Sequence, residues 1–163
     1  MKIGGFPSPF IFYFFIHKDM RKTYTGFLIS LLPNQYFVFG SNTQGRHGKG
    51  SALMAMQRFG AIYGQAYGLQ GNSYAIVTKD LTKKEHPSIP EHNIVSQIEK
   101  LYEFAKAHPE NEYYIAYKAN SVPLNGYTPL QMATFFSFWG LNYIPDNIVF
   151  EDKFQSLILS LFS

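Results

Sequence analysis

Between Phe39 and Ala52 the chain reads FGSNTQGRHGKGSA. An apolar run, Tyr36-Phe37-Val38-Phe39, stops at Gly40, and helix-forming residues resume after Gly50. Gly40, Gly45, Gly48 and Gly50 lie in the stretch between, where bare backbone can approach a ligand because no side chain intervenes. Arg46, His47 and Lys49 add nitrogen donors, and Ser41 and Asn42 add a hydroxyl and a carboxamide. A helix opening near Gly50 would offer unpaired N–H groups and positive partial charge to the same place. The chemistry suits a phosphate or a diphosphate. It is not a Walker loop, because Gly50 interrupts the Gly-Lys-Ser order, and the glycine spacing does not fit the Gly-x-Gly-x-x-Gly dinucleotide pattern. Each residue also has a plainer reading. Asn42 fits a turn residue that uses its amide locally, and His47 fits a loop histidine as well as a proton-transfer group near neutrality.

Two further segments fall after strand-like runs. Thr78-Lys79-Asp80 follows Tyr74-Ala75-Ile76-Val77, and ANSVPLNGY, residues 119 to 127, follows a run from Glu112 to Tyr117. Ligands of open α/β sheets bind beyond the carboxyl ends of strands. All three segments would therefore meet at one edge. Lys79 and Asp80 read either as a nucleophile with its base or as a strand-end ion pair or turn.

The elements that must position these loops follow from periodicity and punctuation. Strands are expected at Thr23 to Leu31, Tyr36 to Phe39, Tyr74 to Val77, Glu112 to Tyr117 and Asn147 to Phe150, with a short one at Ala61 to Tyr63. A helix begins near Gly50. A second, with the stripe Ile94, Val95, Ile98, Leu101, Tyr102 and Ala105, is expected to start from a Ser88-Ile89-Pro90-Glu91 capping box and to stop before Pro109. A third opens on a Thr128-Pro129-Leu130-Gln131 capping box and runs to about Phe138. A fourth carries Phe154, Leu157, Ile158 and Leu161 on one face. Alternating strands and helices imply an α/β domain with a largely parallel sheet.

The 163 residues suit one domain with a real core. With 46% apolar and 15% charged residues the chain should fold. It has no cysteine, which excludes disulfides, thiolate metal sites and a cysteine nucleophile. A net charge of +3 is too small to imply nucleic acid as a partner and fits cations grouped round a small anionic ligand. Tyr63, Tyr67 and Tyr74 could stack single-stranded bases or pack beneath the glycine segments, and packing is the preferred reading. His17, His47, His86, His92 and His108 are scattered without His-x-x-x-His spacing, so no metal site is expected. No cofactor is implied.

Residues 1 to 17 hold an unbroken run, Phe10-Ile11-Phe12-Tyr13-Phe14-Phe15-Ile16, too short to span a bilayer. It reads as an edge strand, as a signal core lacking a small-residue cleavage site, or as translated upstream sequence before a natural start at Met20. The last reading is preferred. It makes residues 1 to 19 an extension and residues 20 to 163 the domain, expected in the cytoplasm without a membrane association.

FVFGSNTQGRHGKGSA, FGAIYGQAYGLQGNSYAIVTKD and, more weakly, NGYTPLQMATFF together resemble a family of small bacterial and phage proteins with a macrodomain-like fold. The resemblance covers roughly Met20 to Ile158. It implies a three-layer α/β/α domain round a mixed, largely parallel sheet, with an ADP-ribose-like nucleotide bound at the carboxyl ends of the strands. On that analogy Asn42 meets the distal ribose. Gly45, Arg46, His47, Gly48 and Gly50 form the first loop beside it, and Asn125, Gly126 and Tyr127 end the second, on the diphosphate side. The second loop departs from a glycine-rich pattern, since Gly126 is its one glycine and Pro123 lacks an N–H.

Two functions follow. A module that binds or sequesters the nucleotide needs only Asn42, the glycine loop and its cations. A hydrolase of an ADP-ribosyl or ADP-ribose-phosphate linkage needs a base, for which His47, or Lys79 with Asp80, is the candidate. The binding reading is preferred, because no strong catalytic pair is visible.

Overall fold

The computed structural model describes residues 21–163. The readings of residues 1 to 19 and of Met20 as a start lie outside the described residues.

The strands are β1 (Thr23–Tyr24), β2 (Gln35–Asn42), β3 (Gly68–Gln70), β4 (Ser73–Lys79), β5 (Glu112–Ile115) and β6 (Ile148–Glu151). They form one sheet in the order β1-β6-β5-β2-β4-β3. Every pairing is parallel except that of β3 with β4. The helices among the described residues are α1 (Gly50–Arg58), α2 (Glu91–Ala107), α3 (Pro129–Phe136) and α4 (Asp152–Ser160), with a single 3₁₀ turn at Leu141–Tyr143.

Strand alternation divides the core in two. Phe37 and Phe39 of β2 and Ala75 of β4 pack with Ala52 and Ala55 of α1 and with Phe59 just past its end. The residues between them, Val38, Tyr74 and Ile76, join Tyr113, Ile115, Ile148 and Phe150 in a larger cluster. That cluster takes the inner faces of α2, α3 and α4. All six stripe residues expected of α2 are buried.

β2 continues three residues past Phe39, so Gly40, Ser41 and Asn42 are strand residues and not loop. They pair with Ile76, Val77 and Lys79 of β4, and the register slips between Ser41 and Asn42. The slip ends the ladder at the point where the chain leaves for α1.

Several expected elements are corrected. The run from Thr23 to Leu31 is a strand only at Thr23–Tyr24. Its partner β6 is short, with Tyr24 opposite Glu151, and the chain turns into α4 at Asp152. Residues beyond Tyr24 have nothing to pair with, and Gly26 bends the chain away at φ 79°. Leu28 and Leu31 instead pack against the α1-side cluster. Ala61 to Tyr63 is not a strand, because the Ala61 and Ile62 N–H groups go to the Ala55 carbonyl and to Gln70 Oε1. The strand lies later, at β3, and returns into β4 through Gly71-Asn72, with Gly71 at φ 58° as a two-residue hairpin loop requires. β5 stops at Ile115 and not at Tyr117, and α3 stops at Phe136.

Of the two expected capping boxes, one forms. Thr128 accepts from the Gln131 N–H at 3.1 Å and the Gln131 side chain accepts from the Thr128 N–H at 2.8 Å, with Pro129 following. Thr128→Ala should lower stability by about 1 kcal/mol in a urea titration; an unchanged midpoint would contradict the cap. Ser88 does not cap α2, which starts at Glu91 behind Pro90. The Ser88 hydroxyl instead takes the Asp80 N–H at 2.8 Å and pairs with His86 Nδ1 at 2.7 Å, closing the 81–90 loop on itself.

Candidate functional site

The carboxyl ends of β2 and β4, the residues after β5 and the start of α1 enclose a cleft of about 630 Å³. Its size is in the range of small-molecule sites, roughly 300–1,000 Å³.

Lys79 reaches the cleft from the end of β4, and Lys118 from just past β5. Arg46 and Lys49 come from the segment joining β2 to α1. These four cations line the cleft, and among the described residues no carboxylate does. The Lys118 ammonium lies 3.6 Å from the centroid of the Phe27 ring. Burial lowers its pKa, and the Glu151 carboxylate pulls the other way.

The start of α1 adds to this charge. No side chain caps it and no acidic residue lies in its first turn. The other helices meet that need inside the protein: Thr128 caps α3, Glu151 caps α4 and Glu91 sits in the first turn of α2. Gly50, Ser51 and Ala52 of α1 all line the cleft, where first-turn N–H groups have no intrahelical partner.

The floor is polar and closely packed. Gly40 lets the Tyr117 hydroxyl cross β2: a Cβ on Gly40 would lie 2.4 Å from that oxygen and 3.2 Å from Thr78 Oγ1. Asn125 Nδ2 donates to the Tyr117 hydroxyl at 3.4 Å, and Asn125 Oδ1 accepts the Tyr127 N–H at 2.9 Å. Burial pushes the Tyr117 phenol up to about 12, against the bonds to Thr78 and Asn125 that lower it. Tyr117 is thus a neutral hydroxyl at ordinary pH. Phe27, Leu28, Phe37, Met54, Val122 and Leu124 add apolar surface to the lining.

The residues expected from the sequence divide here. Gly40, Ser41, Asn42, Arg46, Gly48, Gly50, Lys79 and Asn125 line the cleft. Gly45, His47, Asp80, Gly126 and Tyr127 do not. Asn42 reaches the edge, but its amide is largely used locally. Oδ1 accepts the N–H groups of Gln44 and Arg46, and Nδ2 donates to the Arg46 carbonyl at 2.8 Å. One amide hydrogen is left for a ligand.

His47 is neither an exposed loop histidine nor a base facing the cleft. It has no exposed surface, and its ring stands edge-on to Phe39 with centroids 5.2 Å apart. Nε2 lies 3.2 Å from Gln70 Oε1, which also accepts the Ile62 N–H at 2.8 Å. The Gln70 atom is therefore an acceptor, so the histidine proton is assigned to Nε2. Nδ1 is buried without a partner. The ring fastens the glycine segment to β3.

Asp80 makes no ion pair with Lys79. Its Oδ1 accepts from the Thr82 hydroxyl at 2.7 Å and the Thr82 N–H at 2.9 Å. The Thr82 bonds first, then Thr43 and Lys83, hold the carboxyl below its usual range against a small desolvation cost. A carboxylate stabilised in this way is a weak base. Gly126, at φ 87°, lets the second loop pass over the His86 carbonyl carbon, which a Cβ would approach to 2.5 Å. The Tyr127 hydroxyl donates to the Ile89 carbonyl at 2.5 Å. Both brace the loop from outside the cleft.

Sequence reasoning missed Tyr117, Lys118, Thr78 as floor and Phe27 as wall. The only signal for the first two was their position just past an apolar run. Of the three tyrosines weighed for base stacking, Tyr74 is buried, Tyr67 bonds it through the hydroxyls at 3.2 Å, and Tyr63 is exposed. None of them lines the cleft. Among the described residues no group of three His, Asp or Glu side chains could hold a metal ion, and no helix is long and apolar enough to cross a membrane.

Fold and cleft together define an α/β protein with a cationic cleft at the carboxyl edge of a mostly parallel sheet. No protein-family model, curated protein or solved structure matches this chain.

Proposed function

We propose that the chain binds an ADP-ribose-like nucleotide in this cleft, as a binding or sequestering module with a macrodomain-like three-layer α/β/α fold. One observation carries the reading: four cations and the uncapped start of α1 line a cleft that no carboxylate lines among the described residues, together with a set of apolar side chains. Fixed positive groups suit phosphates, and the apolar side chains suit a base and ribose.

Binding without chemistry is favoured over hydrolysis by what the cleft lacks. His47 is sealed beneath the loop, and Asp80 is committed to Thr82 and Thr43. Tyr117 stays protonated near neutrality. Lys79 alone among the expected catalytic groups lines the cleft, and it lacks an adjacent base to activate it.

Calorimetry with ADP-ribose tests the reading, followed by chromatography of the ligand after long incubation. Binding with intact ligand is expected. Lys49→Ala and Lys79→Ala should each weaken it by roughly tenfold or more, the loss of one charge-assisted hydrogen bond. Cleaved ligand would favour the hydrolase reading. Affinity unaffected by either substitution would move the ligand out of this cleft.

A further inference from the structure

The polar groups lining the cleft fall into those already bonded inside the protein and those left for a ligand. The Tyr24 hydroxyl donates to the Ile115 carbonyl at 2.6 Å, and the Ser121 hydroxyl to the Lys118 carbonyl at 3.2 Å. Thr78 Oγ1 lies 3.5 Å from the Ser41 carbonyl. The lining has two carboxamides, Asn42 and Asn125. Asn42 Oδ1 holds two N–H groups, and Asn125 Oδ1 holds that of Tyr127. Asn125 Nδ2 is turned to the Tyr117 hydroxyl and to Met132 Sδ.

What remains uncommitted is almost wholly of one kind. Among the described residues Arg46, Lys49 and Lys79 make no hydrogen bond or ion pair through their charged ends, and no side chain caps the first-turn N–H groups of α1. Guanidinium, ammonium and N–H groups only donate. The Ser51 hydroxyl gives or takes alike by turning its proton, so it does not fix one pattern.

One nucleobase is told from another by the order of donors and acceptors on its edge. A site that reads such an edge rejects analogues strongly, because its own fixed polar groups would be left unpaired. Among the described residues no carboxylate lines this cleft; Asn42 Oδ1 already holds two N–H groups, and the Asn125 side chain is buried with its oxygen on the Tyr127 N–H. The surface left for a base is apolar. Phe27 is 78% exposed, with Lys118 over one face of its ring and the other face left for a base, and Val122 and Leu124 are exposed in the same lining. A surface of this kind takes any flat heterocycle, since every base offers a π face.

We infer that the cleft selects its ligand by the phosphates and accepts any nucleobase, so that its ligand class is nucleoside diphosphates and their sugar derivatives in general. The inference rests on the nucleotide-binding reading above and adds what that reading leaves open, which part of the ligand is recognised.

The test is calorimetry of the full chain against ADP, GDP, IDP and UDP, with adenosine and ADP-ribose alongside. The four diphosphates should bind within about tenfold of one another, and adenosine at least about 100-fold more weakly than ADP. Phe27→Ala should weaken all four alike. A preference for one base above about tenfold, or adenosine binding as well as ADP, overturns the inference and leaves nucleotide binding standing. If the four diphosphates bind alike and ADP-ribose does not, the ADP-ribose reading falls and the sugar-derivative part of this inference falls with it, while selection by the phosphates without regard to base holds. No binding by any of them overturns both.

Discussion

Gly40→Ala is expected to lower stability by about 2 to 3 kcal/mol, the cost of overpacking a filled site, and to remove the nucleotide binding proposed for the cleft. The backbone is not the reason. Gly40 lies within β2 and does not take a positive φ, so an L-residue fits there and would on its own favour the strand. The reason is the Tyr117 hydroxyl, 2.4 Å from where the new Cβ would sit, with the ring carbon bearing it at 3.3 Å. Tyr117 is buried and its hydroxyl is held by Asn125. To make room the ring must turn, which breaks that bond and crowds the cleft floor. Tyr117→Phe removes the offending oxygen and should cost about 1 kcal/mol by itself, one hydrogen bond. In the double variant the remaining contacts, Thr78 Oγ1 at 3.2 Å and the ring carbon at 3.3 Å, need only a small shift. The pair should therefore be little less stable than Tyr117→Phe alone, a coupling of about 2 kcal/mol in a double-mutant cycle. Strictly additive losses would mean that the tyrosine does not cross the strand at Gly40.

This contact marks where the sequence stopped being informative. The apolar stripe of α2 and the short buried strands were legible because burial imposes a period on the residues themselves. The cleft's location at the strand ends was legible too, since alternating strands and helices confine a ligand to that edge. Strand order is not written locally. Tyr117 and Lys118 reach the site because β5 lies directly beside β2, with Val38 opposite Ile115, so the residues after Ile115 emerge next to Gly40. His47 shows the same limit from the other side. Whether it faces ligand or core depends on Gln70, 23 residues further on. Asn42 is decided by whether the chain curls back to bring the Arg46 N–H to its side chain, which it does at 2.9 Å. The early end of β1 follows from the shortness of β6, 125 residues away along the chain between Thr23 and Ile148. The glycines of the motif looked interchangeable and are not.

Gly45→Ala should be the most damaging single-methyl change in that motif, at about 3 to 5 kcal/mol when strain and displaced backbone are combined. Two costs coincide there. Gly45 takes φ 64°, a conformation that costs an L-residue roughly 1 to 2 kcal/mol. Its Cβ would also lie 2.5 Å from the Gly64 carbonyl carbon and 2.8 Å from the Gln65 nitrogen. These are main-chain atoms and cannot swing aside like the end of a side chain. Yielding would break the Gly64 N–H bond to the Gly45 carbonyl, now 2.8 Å. Gln65 would move too, and with it the bonds its side chain makes to the Tyr67 and Leu69 carbonyls beside β3. Two neighbours separate the contributions. Gly64 has φ 94° but open space round its Cβ, so Gly64→Ala should cost the conformational part alone. Gly48 has neither a positive φ nor a neighbour within 4 Å, so Gly48→Ala should change stability by no more than about 0.5 kcal/mol. In thermal unfolding the order should be Gly48→Ala, Gly64→Ala, Gly45→Ala, with the last falling by roughly 10 °C or more. If Gly45→Ala melts with Gly64→Ala, the close approach of the two glycine segments is not what holds the loop. If it melts well below, the segment that carries Arg46 and Lys49 to the cleft is fixed by main chain packed on main chain, and those cations are held in place before any ligand arrives.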